Sequence, residues 1–175
     1  MEGIKNALPD DFIILSDSDE IPDFTKIKNI NLIKRFAAFS QKMFMYKLNL
    51  QNISESNWIG SKITRKKFIT SMQDLRNLKF KKYPLWRIDK YNQQIINGGW
   101  HFSFLQTPQQ ILTKIKSFSH GEFNSKNINE KKIEEKIIQN KDIFGRNTEL
   151  KKISINNDYP EYIIQNKDKL SNWII

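Results

Sequence analysis

Three carboxylates follow the first apolar run of the chain, and their spacing is the clearest indication of a functional site in the sequence. Asp17, Asp19 and Glu20 come after Phe12–Leu15, and Pro22 closes the stretch. Asp17 and Asp19 lie two apart, so an extended backbone would point both carboxylates to the same side. Their oxygens suit a hard cation, Mn2+ or Mg2+, which keeps water and substrate phosphates in its other positions. The alternative is that the carboxylates cap the next helix and complement its dipole.

Glu20 and the two histidines of the chain are the candidates for acid/base work. In a regular strand Glu20 points away from Asp17 and Asp19, so it can bind acceptor hydroxyls, act as a base, or serve as a first-turn helix acid. His101 follows a paired glycine and a tryptophan. His120 stands at the expected C-terminal end of a helix, where the dipole stabilises its charged form and favours a phosphate contact. A structural role is the alternative for each histidine.

Basic and aromatic side chains are the candidates for holding a diphosphate or a sugar. The basic candidates are Arg76, Lys114 and Lys116. They would balance the charge of a diphosphate, and the alternative is a solvated helix face. The aromatic candidates are Trp58, Trp86 and Trp100. They would form sugar-stacking platforms, and the alternative is packing in the core.

Alternating strand and helix patterns must position these residues. The pattern predicts a buried strand at Phe12–Leu15, further strands at 43–50, 58–63, 95–104 and 150–155, and helices near 24–30, 71–78, 108–120, 129–144 and after residue 160. On the last two helices we expect the apolar side chains to face inward: Ile133, Ile137, Ile138, Tyr162, Ile163, Leu170 and Trp173. The pattern indicates an α/β domain.

Composition limits the classes of protein. The 175 residues are 38% hydrophobic and contain no cysteine, so the chain can bury a core but has no disulfide, thiol nucleophile or cysteine-ligated metal. The net charge of +10 favours anionic partners. No apolar stretch is long enough to span a bilayer, so we expect no transmembrane segment and a cytoplasmic chain. Walker, Gly-x-Gly-x-x-Gly and Gly-x-Ser-x-Gly motifs are absent from the sequence.

Four blocks, in order, resemble a known family. They are Ser16-Asp17-Ser18-Asp19-Glu20-Ile21-Pro22, Trp58-Ile59-Gly60-Ser61, Gly98-Gly99-Trp100-His101-Phe102-Ser103 and Lys114-Ile115-Lys116-Ser117-Phe118-Ser119-His120-Gly121-Glu122. This set is similar to glycosyltransferase family 17, the β-1,4-mannosyl-glycoprotein 4-β-N-acetylglucosaminyltransferase family. Tyr159-Pro160-Glu161-Tyr162-Ile163 and Asn166 are also similar to the family's C-terminal ending.

The resemblance implies a GT-A-like, Rossmann-related mixed sheet flanked by helices, and inverting transfer of a sugar, N-acetylglucosamine, from UDP-GlcNAc to a glycan acceptor. It implies a divalent cation at Asp17 and Asp19, with His120 as a further candidate ligand. Lys114, Lys116, Arg76 and Trp100 would bind the donor. Glu20 is the first candidate for the base and His101 the second.

The chain departs from the family at its start, since the acidic strand begins at Phe12 and the segment that binds the nucleotide base should precede it. We therefore expect residues 1–175 to be one domain, the C-terminal part of a GT-A-like domain with 122–175 as a peripheral helical segment. A separate chain could supply the missing half. A Golgi or membrane location would require an N-terminal anchor.

Two other functions remain open. The chain could be a catalytically inactive module that binds carbohydrate or another partner through the acceptor side of the fold. It could also be a basic nucleic-acid-binding protein, which the charge and the basic cluster at 65–82 would favour. We rank this last and expect no nucleic-acid partner, because the positive charge is spread along the chain and the acidic cluster would stay unexplained.

Overall fold

The computed structural model describes residues 2–27, 30, 32, 34–55, 57–80, 92–117 and 128–175. The chain forms two compact units, unit 1 (Met1–Lys42 and Asn57–His101) and unit 2 (Met43–Ser56 and Phe102–Ile175). Each unit contains both strands and helices, so the predicted α/β class is confirmed. The GT-A-like topology and the division into domains stay predictions. Among the helices of the described residues, none is both long and apolar enough to cross a membrane.

Unit 1 is built on antiparallel strand pairs. Its elements are β1 (Phe12–Leu15), β2 (Glu20–Pro22), α1 (Phe24–Ile27), the first part of β3 (Phe36–Met45), β5 (Trp58–Arg65), α2 (Met72–Asn77) and most of β6 (Asn92–Ser103). Strand β5 pairs with β1 and with β3, and β2 pairs with β6. The predicted strands at 12–15, 58–63 and 95–104 and the predicted helix at 71–78 are therefore confirmed.

The backbone changes direction between the predicted metal ligands. Strand β1 ends at Leu15, Ser18 and Asp19 form a turn, and β2 starts at Glu20. The Glu20 backbone N–H donates to the Asp17 carbonyl across 3.0 Å and closes the turn. The expected extended run through Asp17 and Asp19 is thus wrong, because short polar residues of this kind favour turns.

Strand β1 is only partly buried. It stands at the end of the strand order β1–β5–β3, and Phe12 is 39% exposed whereas Ile13 is buried. The Arg65 guanidinium lies 4.8 Å from the centroid of the Phe12 ring and covers part of it. The prediction of a buried strand is therefore wrong at Phe12, which faces outward from an end strand.

A small apolar core anchors the strands of unit 1. Its fully buried members are Ala37, Phe39 and Ile63. The partly buried side chains that pack against them are Ile14, Ile27, Ile30, Leu32 and Ile95. Because this core includes residues of β1, β3, β5 and β6, it fixes the strands that carry the candidate site.

Unit 2 contains the end of β3, short strands and the longer helices. Its elements are β4 (Leu50–Asn52), α3 (Pro108–Ser117), α4 (Glu130–Ile138), β7 (Leu150–Lys152) and α5 (Glu161–Gln165). Strand β4 pairs with β3 and with β7. The predicted strand at 43–50 is wrong in its limits, because Tyr46 adopts a left-handed φ of 64° and ends β3 after Met45.

Helices α3 and α4 pack against each other through apolar faces. Ile111 and Ile115 on α3 are buried. Ile133 and Ile137 on α4 are buried, as predicted. Ile138 is 74% exposed, so its predicted inward position is wrong. It follows the buried Ile137 directly, and successive helical residues point about 100° apart.

Helix α5 buries one of its two predicted docking residues. Ile163 is buried, whereas Tyr162 is 68% exposed, so the prediction for Tyr162 is wrong for the same geometric reason. The end of the chain is held by Asn49, whose amide nitrogen donates to the Ile175 oxygen across 2.8 Å and whose amide oxygen accepts from the Ile175 N–H across 3.0 Å. The Leu48 N–H donates to the carbonyl of Trp173 across 2.8 Å. These bonds fix Trp173 within unit 2.

Candidate active site

Glu20 and His101 face each other across two paired strands. They are opposite residues in the antiparallel pair of β2 and β6. Both side chains are only 7% exposed, and Glu20 Oε1 lies 4.0 Å from His101 Nδ1. Asp19 adds a second carboxylate, with Oδ1 3.8 Å from the same Nδ1. The structure therefore brings both predicted base candidates and one predicted metal ligand together.

The buried Glu20 carboxylate is held by hydrogen bonds to both of its oxygens. The indole Nε1 of Trp58 donates to Oε1 across 2.9 Å. The Ser61 hydroxyl and the Asp17 backbone N–H donate to Oε2 across 3.2 and 3.3 Å. A buried carboxylate is costly unless it is hydrogen-bonded, so these donors make its position possible and fix its orientation.

A chain of polar side chains supports the Ser61 hydroxyl. Ser16 and Ser61 share a hydrogen bond of 2.6 Å between their hydroxyls, and the amide nitrogen of the fully buried Gln41 donates to Ser61 Oγ across 3.1 Å. A Cβ atom at Gly60 would meet the Gln41 side chain and would lie 2.9 Å from Glu20 Cδ. Glycine is needed there because the strand passes so close to these side chains.

Trp58 also positions His101. The two rings are stacked, with centroids 4.7 Å apart and an angle of 19° between their planes. Next to β2, Gly99 has a φ of 144°, and a Cβ there would approach Asp23 N and Pro22 Cα to 3.0 Å. The paired glycine thus lets β2 and β6 approach closely enough to bring the ring of His101 beside Glu20.

Two cations border the acidic cluster on its exposed side. Arg76 Nη2 lies 2.9 Å from Asp17 Oδ1, and both side chains are more than half exposed. Lys62 donates from Nζ to the Arg76 carbonyl. Partial burial lowers the pKa of Lys62, against the opposing effect of the negative charges of Glu20 and Asp17. Positive charge thus lies beside one predicted metal ligand.

The carboxylates offer suitable donors for a hard cation. The described residues hold no group of three His, Cys, Asp or Glu side chains that could bind a metal. Mg2+ needs only one or two carboxylates when substrate phosphates complete its shell. Asp17 and Asp19 expose 60% and 34% of their side chains, so their oxygens are accessible. Carboxylate oxygens are the donor type that such a cation prefers, and the assignment of a cation to Asp17 and Asp19 stays a prediction. His120 lies outside the described residues.

Comparison with known families assigns the chain to a family. Residues 2–154 match the model of Glycosyltransferase family 17. The chain belongs to glycosyltransferase family 17. The match assigns it to the glycosyltransferases, and the C-terminal resemblance at 159–166 lies beyond the matched region. Neither the curated proteins nor the solved structures include a match.

The other predicted residues of this family 17 chain lie in different places. Trp100 is half-buried on β6, opposite Ile21 of β2. Lys114 and Lys116 lie on α3 of unit 2, where Lys114 Nζ is 4.9 Å from the centroid of the Phe104 ring. Their assignment to the donor stays a prediction, as does that of Trp100.

Several residues that support the candidate active site were not predicted from the sequence to have a chemical role. They are Ser16, Gln41, Ser61 and Lys62. Ser16 and Ser61 lie in the blocks that carry the family resemblance, and Gln41 is a polar residue inside the apolar run of β3. Polar residues within apolar strands are the signal that could have identified Gln41, because such residues must be hydrogen-bonded when buried.

Proposed function

We propose that this family 17 chain transfers a sugar, N-acetylglucosamine, from UDP-GlcNAc to a hydroxyl of a glycan acceptor, with a divalent cation and with inversion at the anomeric carbon. The observation that supports the proposal most directly is the buried Glu20 carboxylate. It lies beside His101, and the accessible Asp17 and Asp19 carboxylates adjoin it. The family supplies the reaction type, and these residues supply the groups that such a reaction needs.

Asp17 and Asp19 would hold the cation. When bound, Mn2+ or Mg2+ neutralises the negative charge that develops on the leaving nucleoside diphosphate. Arg76 adds positive charge at the same place, since its guanidinium lies beside Asp17. An exposed guanidinium can exchange a carboxylate for a phosphate because it binds both in the same forked geometry.

Glu20 is assigned as the group that takes the proton of the attacking hydroxyl. Three donors fix its two oxygens, so it keeps one orientation, and a fixed base lowers the entropic cost of the reaction. His101 is the second candidate for this role. A proton accepted at its Nδ1 would lie within 4.0 Å of two carboxylates, which stabilise positive charge.

The test is a transfer assay with Mn2+, UDP-GlcNAc and a mannose-containing glycan, together with calorimetric titration of the nucleotide sugar. Asp17→Asn and Asp19→Asn should abolish metal-dependent binding of UDP-GlcNAc. Asp10→Asn is the matched control, because it also removes an exposed carboxylate paired with a cation, Lys67 at 2.6 Å. Equal behaviour of the three variants would contradict the metal assignment.

Binding measurements on the wild-type chain distinguish the two alternative functions from sugar transfer. Glycan binding by the wild type without metal-dependent nucleotide binding would identify an inactive carbohydrate-binding module. Binding to arbitrary DNA that falls steeply with salt would identify a nucleic-acid-binding protein. Either result would overturn the proposed transfer.

A further inference from the structure

Unit 1 contains a small cationic pocket that the proposed sugar transfer does not use. The pocket has a volume of about 200 Å³. Arg65, the last residue of β5, contributes to it and lies about 13 Å along the strand from Ser61, which contacts Glu20. None of the described lining residues is acidic, and they are Leu32, Lys34, Arg35, Arg65, Lys67 and Phe68.

Backbone contacts hold the segments that carry these cations. The Thr64 hydroxyl donates to the Arg35 carbonyl across 2.7 Å, which ties the start of β3 to the end of β5. The short 3-10 turn Lys66–Phe68 follows β5, and the Lys67 N–H donates to the Pro9 carbonyl across 2.9 Å. The pairing of the strands therefore brings cations from distant parts of the sequence to one place.

The cationic side chains are also held in place. Arg35 Cζ and Lys67 Nζ lie 5.4 and 5.5 Å from the centroid of the Phe68 ring, so one aromatic ring attracts two cations. Nη1 of Arg65 donates to the Asp10 carbonyl across 3.0 Å. Like charges that are held around one pocket repel each other, and a bound anion would relieve this repulsion.

The carboxylate of Asp10 shows that an anionic oxygen is stabilised beside this pocket. Asp10 Oδ1 lies 2.6 Å from Lys67 Nζ and 3.5 Å from Arg65 Nη1, so one oxygen meets two cations. The hydrogen bond and the charge of Lys67 lower the pKa of Asp10, which favours its negative form. The Asp10 side chain is 67% exposed, so it can turn toward solvent when another anion takes its place.

The types of cation indicate a phosphate group as the ligand. Arg35 and Arg65 offer forked guanidinium donors that match phosphate oxygens, and Lys34 and Lys67 add compact charges. A phosphate monoester carries a charge of about −1.5 to −2 and three acceptor oxygens, so it can contact more of these cations than a carboxylate can. Pockets for drug-sized ligands begin at about 300 Å³, so this smaller pocket suits a single such group.

We propose that the pocket formed by Lys34, Arg35, Arg65 and Lys67 binds a terminal phosphate group, carried either by a soluble ligand or by a lipid headgroup. This binding goes beyond the proposed sugar transfer. It requires neither a divalent cation nor the nucleotide sugar.

The test is calorimetric titration of the whole chain with sodium pyrophosphate, at low salt and without metal. Arg35→Gln and Lys67→Gln should each weaken binding about tenfold, because a charge-assisted hydrogen bond to phosphate is lost. Lys26→Gln is the matched control, because it removes an exposed cation of unit 1 that does not line the pocket. Asp10→Asn should strengthen binding severalfold, since it removes the carboxylate that competes for Lys67 and Arg65.

Flotation with vesicles distinguishes the two sources of the phosphate group. The vesicles contain phosphatidylcholine alone or equal parts of phosphatidylcholine and phosphatidic acid, whose headgroup is a phosphate monoester. Binding to the mixed vesicles that Arg35→Gln removes and Lys26→Gln keeps would assign the pocket to a lipid headgroup. Pyrophosphate binding without vesicle binding would assign it to a soluble ligand.

Three results would overturn the proposal. The first is a wild-type chain that binds neither pyrophosphate nor the mixed vesicles. The second is equal weakening in Lys26→Gln, which would show that net charge attracts the anion. The third is weakening in Arg76→Gln with unchanged binding in Arg35→Gln and Lys67→Gln, which would place pyrophosphate at the candidate active site.

Thermal unfolding checks that each variant remains folded and gives a second measure of binding. Pyrophosphate should raise the Tm of the wild type more than that of Arg35→Gln, because a ligand stabilises the folded chain in proportion to its affinity. Sugar transfer is not measured in any of these experiments, so the phosphate pocket and the proposed function can fail independently.

Discussion

Trp58 donates its indole N–H to Oε1 of Glu20 across 2.9 Å, and this bond links β5 to β2. The acceptor is a carboxylate that is only 7% exposed. The face of the same indole stacks on His101. The Trp58 side chain therefore fixes both candidate bases. A substitution of Trp58 should change both the free energy of unfolding and the rate of sugar transfer.

Replacing Trp58 by Phe keeps an aromatic ring against His101 and removes the donor to Glu20. We expect the free energy of unfolding to fall by about 1–3 kcal/mol, because a buried carboxylate oxygen loses its partner. Urea unfolding of the wild type, Trp58→Phe, Glu20→Leu and the double variant measures the coupling, because leucine cannot accept the hydrogen bond of the indole. Additive effects in this cycle would contradict the role of the hydrogen bond.

Replacing Glu20 by Gln keeps the shape of the side chain and removes its capacity to take a proton. We expect kcat for sugar transfer to fall by about 100- to 10,000-fold, the range for loss of a general base. The comparison variant is His101→Gln, measured with the same donor and acceptor. A large loss in His101→Gln with near-normal transfer by Glu20→Gln would assign the base to His101 instead.

Elements with strong local signals could be predicted from the sequence. The helix α2 begins after Ser71, whose hydroxyl accepts from the Asp74 N–H across 3.0 Å, and α3 begins at Pro108. These signals lie within a few residues of the element that they start, so they are visible without the fold.

The end of β3 could not be predicted because it depends on distant residues. The Tyr46 hydroxyl accepts a hydrogen bond of 3.1 Å from the backbone N–H of Ile143, which is 97 residues away. Likewise, Glu20 was a candidate from its spacing, but its donors Trp58 and Ser61 come from β5. Only the strand pairing shows that they meet.

Replacing Gly60 by Ala tests how tightly the site is packed. The new Cβ would lie 2.9 Å from Glu20 Cδ and would meet the buried Gln41 side chain. We expect a loss of about 1–3 kcal/mol in the free energy of unfolding, the usual cost of overpacking, together with reduced transfer. Gly3→Ala is the matched control, because nothing lies within 4 Å of a Cβ at that position. A similar loss in both variants would show that packing around Gly60 is not the cause.

Two buried tyrosines in unit 2 should make the protein sensitive to alkaline pH. Burial raises the pKa of Tyr46 and of Tyr159 well above the ordinary value of 10.0. Folding therefore favours the protonated hydroxyl of each. The stability from this preference is fully present below about pH 10 and is lost as the pH rises further, by up to about 1.4 kcal/mol per pH unit for each tyrosine.

Replacing either tyrosine by phenylalanine should reduce this loss of stability at alkaline pH. Near pH 7, however, Tyr46→Phe and Tyr159→Phe should differ in their free energy of unfolding. Tyr46→Phe removes the acceptor of the Ile143 N–H and should cost about 1–3 kcal/mol of the free energy of unfolding. The Tyr159 hydroxyl is buried without a hydrogen-bond partner among the described residues, so Tyr159→Phe should be neutral or stabilising. Urea unfolding at pH 7 and between pH 9 and about 11 measures both effects. Equal losses at pH 7 would contradict the assigned bond, because only Tyr46 has a partner to lose.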